Sequence, residues 1–377
     1  MSKKNDDRKN IVIVGGGFAG STIARTFLSK LDTSKYTLTL ITSHPYFVHY
    51  IAGARLTVSD ADDLENLVFV PYDKLFADGK GTHKVGTVTA IEEAGKGQSG
   101  FVVLQDGEKV PYDALALAPG TLWSGPLNFP SDDASAKASI REWRRRYADA
   151  KEVVLVGGGA VGIETAGEVR EAYPDKHVTI IHGGDLLLNE TYPDKFRKDI
   201  ERRLKEKNID VILGEFIDEI PEYGTKGLTT RSGKELPNTD LVVPTSGGRP
   251  NTAFIASLGS DVLTERGHVK VKPTLELLDH PGIFAAGDVI NWKEQKQAAK
   301  TAAHAAVVVA NITSYLTGKP LTKVYKGSFE MIAIPIGKTG GASYFGVLWG
   351  ILLGGWITSA VKGKTLMVSQ ARKVLGY

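Results

Sequence analysis

The sequence predicts an α/β protein of two Rossmann-like dinucleotide-binding domains followed by a small C-terminal domain. Three observations carry this. Ile11–Gly20 reads IVIVGGGFAG, an apolar strand that runs straight into a glycine turn. Val153–Glu164 reads VVLVGGGAVGIE and repeats the device in the same register. Each is followed by an apolar exit strand, in YDALALAPGT at Tyr112–Thr121 and in DLVVPTSGGRPNT at Asp240–Thr252.

The first cradle sets Gly15, Gly17 and Gly20 in the G-x-G-x-x-G spacing. That spacing serves a tight turn, close backbone approach to a pyrophosphate, and close packing of helix on strand. Gly157, Gly159 and Gly162 form the second cradle. Two cradles imply two dinucleotides. Gly120 and Gly248 stand just past the exit strands and are assigned to cofactor binding with them. The domain boundaries that follow are 10–123 and 246–318 for the two parts of the first nucleotide domain, 124–245 for the second, and 319–377 for the C-terminal domain.

Composition narrows the chemistry. A chain of 377 residues is comfortable for two or three domains. Its 46 Lys and Arg against 43 acids leave a net charge of +3, which gives no argument for nucleic-acid or membrane binding by bulk electrostatics. There is no cysteine, so disulfide reductases, thiol-relay sulfide oxidases and thiolate metal sites are excluded, and no metal site is expected. The charged start MSKKNDDRKN has no apolar signal core and no glycine at position 2, and the cytosol is the expected compartment.

The elements follow in order. The apolar stripe Ile23, Phe27, Leu31 predicts a helix over Phe18–Leu31, with a strand at Thr37–Thr42 behind it. The fingerprint expects an acid at that strand's end to hold a ribose hydroxyl, and Thr42 stands there instead. A carboxylate bond is worth roughly 1.5–3 kcal/mol and a neutral one about 0.5–1.5, so the contact is weakened rather than lost. The aromatic loop after His44 carries Arg55, a candidate contact for a cofactor phosphate in competition with plain loop packing. The acidic run Ser59–Glu65 reads as a capped, solvated helix start, and Val85–Val110 as a small antiparallel meander. Arg144-Arg145-Arg146 reads as a solvated helix face.

In the second module a helix from Ala160 to Tyr173 leads to the strand His177–His182. His182 occupies the position where an acid would repel the 2′-phosphate of NADPH, so both NADH and NADPH are admissible. Asp194–Lys207 is a charged amphipathic helix. GIFAAGDV at Gly282–Val289 then puts Asp288 at the end of a buried strand, placed to accept from a ribityl hydroxyl. An alanine-rich helix over Gln297–Thr313 follows, with Lys296 at its head and His304 inside. A lysine beside a helix N-terminus calls for an anion, whereas His304 reads as a packed helix residue with no acid partner in view. Near the end, Tyr344–Ile357 reads YFGVLWGILLGGWI. As a helix its length is about 21 Å, short of the roughly 30 Å hydrocarbon core, so it is expected to lie in a membrane interface rather than span it. Trp349, Trp356, Lys362, Lys364, Arg372 and Lys373 suit such an anchor, and packing of Phe345, Leu348 and Leu352 on the first nucleotide domain is the competing expectation.

The glycine sets, Glu164, Gly287-Asp288, Arg55, EAYPDKHVTIIH, and Lys296 with His304 and ANI together resemble the two-dinucleotide-binding flavoproteins. Within these the chain is most similar to the apoptosis-inducing-factor-like, ferroptosis-suppressor branch of NAD(P)H:quinone oxidoreductases, relatives of the type II NADH dehydrogenases. The resemblance implies FAD in the first module with Asp288, and NADH or NADPH in the second. It implies Glu164 as the acid near nicotinamide and flavin, and Lys296 as the lysine near the flavin ring. Hydride would pass to the flavin and two electrons on to a quinone such as ubiquinone. The peripheral surface of a membrane, the mitochondrial outer face or a lipid droplet is the implied place of work, no nucleic acid is expected, and a homodimer is admissible. Two departures stand out: Thr42 in place of the ribose acid, and the missing lipidation glycine of animal members. The competing readings are reduction of another small or protein acceptor, and a redox-gated signalling or DNA-binding flavoprotein resting on Arg144–Arg146.

Overall fold

A computed structural model describes residues 7–95 and 97–377; the charged start at 1–6, and with it the lipidation position, lies outside the described residues. Parallel pairing organises the chain into two sheets. The first has the spatial order Ile283–Ala285, Ala114–Leu117, Lys9–Val14, Tyr36–Thr42, Thr82–Val85. All its neighbours are parallel. The second runs Ile209–Leu213, His177–His182, Glu152–Val156, Leu241–Pro244, again all parallel. In both sheets the order reverses between the fingerprint strand and its exit strand, which opens a ligand crevice at the strands' carboxyl ends. Helices cover the faces, so Ile11, Ile13, Leu38 and Leu40 are buried in one core and Val153, Leu155, Val178 and Ile180 in the other.

Six helices matter below: α1 (Phe18–Leu28), α2 (Gly53–Val58), α3 (Asp133–Asp149), α4 (Ala160–Ala172), α5 (Asp194–Glu206) and α6 (Thr301–Leu316). α1 ends at Leu28, short of Leu31, because the chain turns there to bring Asp32 under the amides of Lys35 and Tyr36. Asp132 caps α3 by accepting from the Ser135 amide at 2.8 Å. The meander begins at Val88, since Thr82–Val85 is the edge strand of the first sheet and only Val88–Glu93, Gly100–Leu104 and Lys109–Tyr112 pair antiparallel.

Three sequence expectations change. The acidic run does not cap a helix: Asp62 bonds Arg55 and Lys338, and Glu65 accepts from Arg141 and Arg144. The arginine run is only in part the solvated face expected, with Arg145 exposed and Arg144 and Arg146 largely covered. Arg144 is committed to Glu65 and the Leu56 carbonyl, while Arg145 and Arg146 share Glu142 and lie over the Tyr223 ring. Most consequential is the apolar C-terminal stretch, which is no continuous helix: only its end, from Gly355, enters the short helix Gly355–Thr358. Met331–Ile334, Ala342–Phe345 and Ile351–Leu353 make an antiparallel three-stranded sheet. Glycines at 346, 350 and 354 each cost a helix about 1 kcal/mol; here Gly346 and Gly350 flank the hairpin turn and Gly354 caps the short helix that follows. Gly350 takes φ +92°, following Leu348 and Trp349 at +48° and +66°. Leu352, Tyr344 and Ile332 pack on the core of the second sheet, not on the first nucleotide domain. Among the described residues no helix is long and apolar enough to cross a membrane.

Candidate active site

The two cradles are built alike. Gly15 and Gly157 sit at φ +99° and +124°, pressed on the exit strands: a Cβ would lie 2.1 Å from the Ala118 carbonyl oxygen and 2.7 Å from the Ser246 nitrogen, respectively. Gly20 and Gly162 leave no more room, since a Cβ there would lie 1.8 and 2.0 Å from the carbonyl oxygens of Gly15 and Gly157. Gly17 and Gly159 differ. Each caps its helix without a side-chain bond, and a Cβ on either would meet nothing within 4 Å. An open, side-chain-free space in front of a helix N-terminus is what a pyrophosphate needs, so the residues present fit a dinucleotide at each cradle.

Around the first cradle the chain has gathered groups from far apart. Thr121, just after Gly120, donates to Asp288 Oδ2 at 2.7 Å. The Gly287 amide donates to His304 Nδ1 at 3.2 Å, so the ring's other nitrogen carries the hydrogen directed at Glu294 Oε1, 3.1 Å away. His304 therefore has the acid partner that sequence could not name, and it pins the turn bearing Asp288. Burial works to raise the Glu294 carboxyl, but bonds from His304 and Tyr325 hold it below its ordinary value. Lys300, 2 % exposed, lies 3.7 Å from Glu294 and 2.9 Å from Glu330. It was legible as a lysine inside an apolar alanine-rich run.

Other expected site residues have partners within the protein. Lys296 donates to the carbonyls of Ile290 and Trp292 at 2.8 and 3.1 Å, so backbone oxygens supply the negative end it needed; burial lowers its pKa. Thr42 is buried, its hydroxyl donating to the His44 carbonyl at 2.5 Å and bonded to His83 Nε2 at 2.7 Å. Gly248 makes room for Thr121 and Leu122, with which the Arg249-Pro250 strand pairs. Arg55 corrects the sequence reading outright. All five of its N–H groups are taken inside the protein, by Glu168, Asp62 and the carbonyls of Gly363 and Lys364, leaving none for a phosphate.

At the second cradle, His182 Nδ1 accepts from the Gly158 amide at 3.1 Å, and burial pulls its pKa down. A neutral ring neither repels nor attracts a 2′-phosphate. One turn into α4, Glu164 is buried, which raises its pKa, and Lys362 opposes that shift by donating to Oε1 at 2.6 Å. Lys362, expected at a membrane surface, is thus an interior partner 15 % exposed. Sequence reasoning also missed Glu168. Its signal was present: two acids four apart on an apolar helix, on one face, demand two cations.

The family described as pyridine nucleotide-disulphide oxidoreductase matches residues 9–306. The FAD-dependent oxidoreductase FVFD30 of Flammulina velutipes is 44% identical, over 85% of this chain and 99% of that protein. The ferroptosis suppressor protein 1 of Taeniopygia guttata is 30% identical over 98% of this chain and 97% of its own. The apoptosis-inducing factor homolog B of Dictyostelium discoideum is 28% identical over 97% and 96%. Among solved structures, the sulfide:quinone oxidoreductase of Aquifex aeolicus shares the fold with a TM-score of 0.78 at 19% identity, covering 97% of this chain and 92% of that one. With its two cradles the chain belongs to the pyridine nucleotide-disulphide oxidoreductase family, as an oxidoreductase of FAD and NAD(P)H akin to the apoptosis-inducing-factor and ferroptosis-suppressor proteins.

Proposed function

We propose that this chain carries electrons from NADH or NADPH to a quinone at a lipid surface, with FAD in the first cradle and the nicotinamide nucleotide in the second. The observation that carries the reading is the double engagement of the C-terminal domain. Lys362 reaches Glu164 in the interior, while the hairpin tip of the same domain presents Leu348 and Trp349 to solvent at 77% and 103% exposure; Trp356, past the second hairpin strand, is exposed at 77%. Exposed tryptophan and leucine at a hairpin tip suit a membrane interface and the tail of an apolar acceptor. The peripheral anchor is thus a hairpin tip in place of the interfacial helix.

FAD, when bound, supplies the hydride acceptor and the electron donor of the reaction. The protein's part is orientation and charge. The amides and helix ends at Gly17 and Gly159 hold the two pyrophosphates. Asp288, aimed by Thr121, accepts from the ribityl chain. Glu164, whose charge Lys362 favours against burial, holds the carboxamide side of the nicotinamide, and Lys296 supplies positive charge beside Asp288.

The test is anaerobic. Purified protein is reduced with NADH until the flavin bleaches, then mixed with a long-tailed quinone in liposomes or with a water-soluble acceptor. Reoxidation within turnover time by the quinone, lost when Leu348 and Trp349 are both changed to Ser, is the expected result. Reoxidation by the soluble acceptor alone overturns the proposal.

A further inference from the structure

Arg55 is 1 % exposed and ties together segments that are distant in sequence. Its Nε and Nη2 donate to the two oxygens of Glu168 at 2.9 and 3.0 Å. Nη1 donates to Asp62 at 3.1 Å and to the Lys364 carbonyl at 3.4 Å, and Nη2 also to the Gly363 carbonyl at 2.5 Å. Glu168 stands one helical turn beyond Glu164 on α4. Gly363 and Lys364 directly follow Lys362, at the end of the π-helical turn Ser359–Gly363. Carbonyls at a helix end lack partners within the helix and favour a cation, and the guanidinium supplies both the bonds and the charge. Two ionic rungs, Glu164 to Lys362 and Glu168 to Arg55, therefore join the same helix to the same turn. Asp62 completes the arrangement: held at φ +65°, it faces Arg55 with one oxygen and takes Lys338 Nζ on the other at 2.8 Å.

We propose that Arg55 is a positioning residue for the Glu164–Lys362 pair, fixing how the C-terminal turn sits against the nucleotide helix. The inference rests on the reading of that pair as part of the nicotinamide site. A buried ion pair adds little net stability over an apolar pair of similar size, so its worth here is directional. The planar fork fixes both the helix and the turn, which a lysine cannot do.

The test uses the full-length holoprotein. Arg55→Met alone would strand Glu168 in the interior, so the main variant is Arg55→Met with Glu168→Leu, which removes both charges together; Arg55→Lys is its companion. The measurements are the rate of flavin reduction by NADH, its pH dependence, and hydrogen exchange at the amides of residues 359–366 without nucleotide. Glu164 faces Lys362 from the turn, Glu168 from its own helix and Arg55 from α2, with His49 close to Lys362 and with Asp62 and Lys338 around Arg55. Removing Glu168 and Arg55 together takes away one charge that raises the Glu164 pKa and one that lowers it, so the limb reports the hold of Lys362: loosening the turn weakens that hold and moves the acid limb to higher pH. Flavin reduction is expected to slow about tenfold, exchange at 359–366 to rise, and Lys362→Met added on top to cost less than about twofold more, where independent effects would multiply to about a hundredfold. Arg55→Lys should fall between wild type and the main variant. Unchanged rate and pH limb, or fully multiplicative losses, overturn the inference. If Lys362→Met and Glu164→Gln themselves leave flavin reduction untouched, it is the reading of the nicotinamide site that fails.

Discussion

The two cradles share one backbone plan and differ in everything placed around it. In each, the outer glycines are spent on internal packing and the middle one opens to the ligand. Around the first stand Asp288, Thr121 and the Glu294–His304 pair; around the second stand Glu164, Lys362 and a neutral His182. The cradle is therefore a generic holder made of main chain. Which nucleotide it holds, and what happens to it, is decided by side chains brought from elsewhere.

The largest effect should separate the glycines. Gly20→Ala or Gly162→Ala drives a methyl into a carbonyl and should cost roughly 3 kcal/mol or more, or prevent folding, as read by thermal unfolding. Gly17→Ala and Gly159→Ala should leave the melting temperature near wild type, the first weakening FAD retention and the second raising the KM for NAD(P)H. Equal melting losses in all four would break the comparison.

A smaller effect should distinguish the side chains. Burial raises the Glu164 pKa, so with the ionised form as the working one, activity falls as pH drops through a value above the ordinary carboxylate, about 4.3. Lys362→Met removes the opposing charge and should move that limb further up. The pH profile of kcat/KM for NADH checks both. Turnover within about threefold of wild type in Glu164→Gln or Lys296→Ala would sink the assigned roles.

The smallest should lie at His182. The wild type is expected to use both nucleotides, with an NADH over NADPH efficiency ratio under about a hundredfold, roughly 2.7 kcal/mol. His182→Asp should push the ratio toward NADH by restoring repulsion of the 2′-phosphate. Competition assays with both nucleotides would show it, and an unchanged ratio would mean that His182 stands away from the ribose.

What sequence could foresee follows from the same division. Glycine spacing next to an apolar strand reports a local backbone demand, and so both cradles and the strand carrying Asp288 were legible. Lys362 meets Glu164 across 198 residues and Arg55 meets Glu168 across 113, and no local pattern records such a meeting. Arg55 therefore read as a phosphate contact, and Glu168 went unnoticed. The hairpin was misread for another reason. Its apolar content suited a helix, and the three glycines read as close-packing points, whereas two flank the hairpin turn and the third caps a short helix.

The strand Ile283–Ala285 is the last to join the first sheet, and the turn after it brings Asp288 to the first cradle. The second sheet lies wholly between residues 152 and 244. During synthesis the second sheet can therefore pair while the first still waits for a strand, reversing the usual N-terminal-first order. A chain released at that point would carry a paired second sheet, but neither the strand that bears Asp288 nor Lys362 and the C-terminal strands that complete the second core.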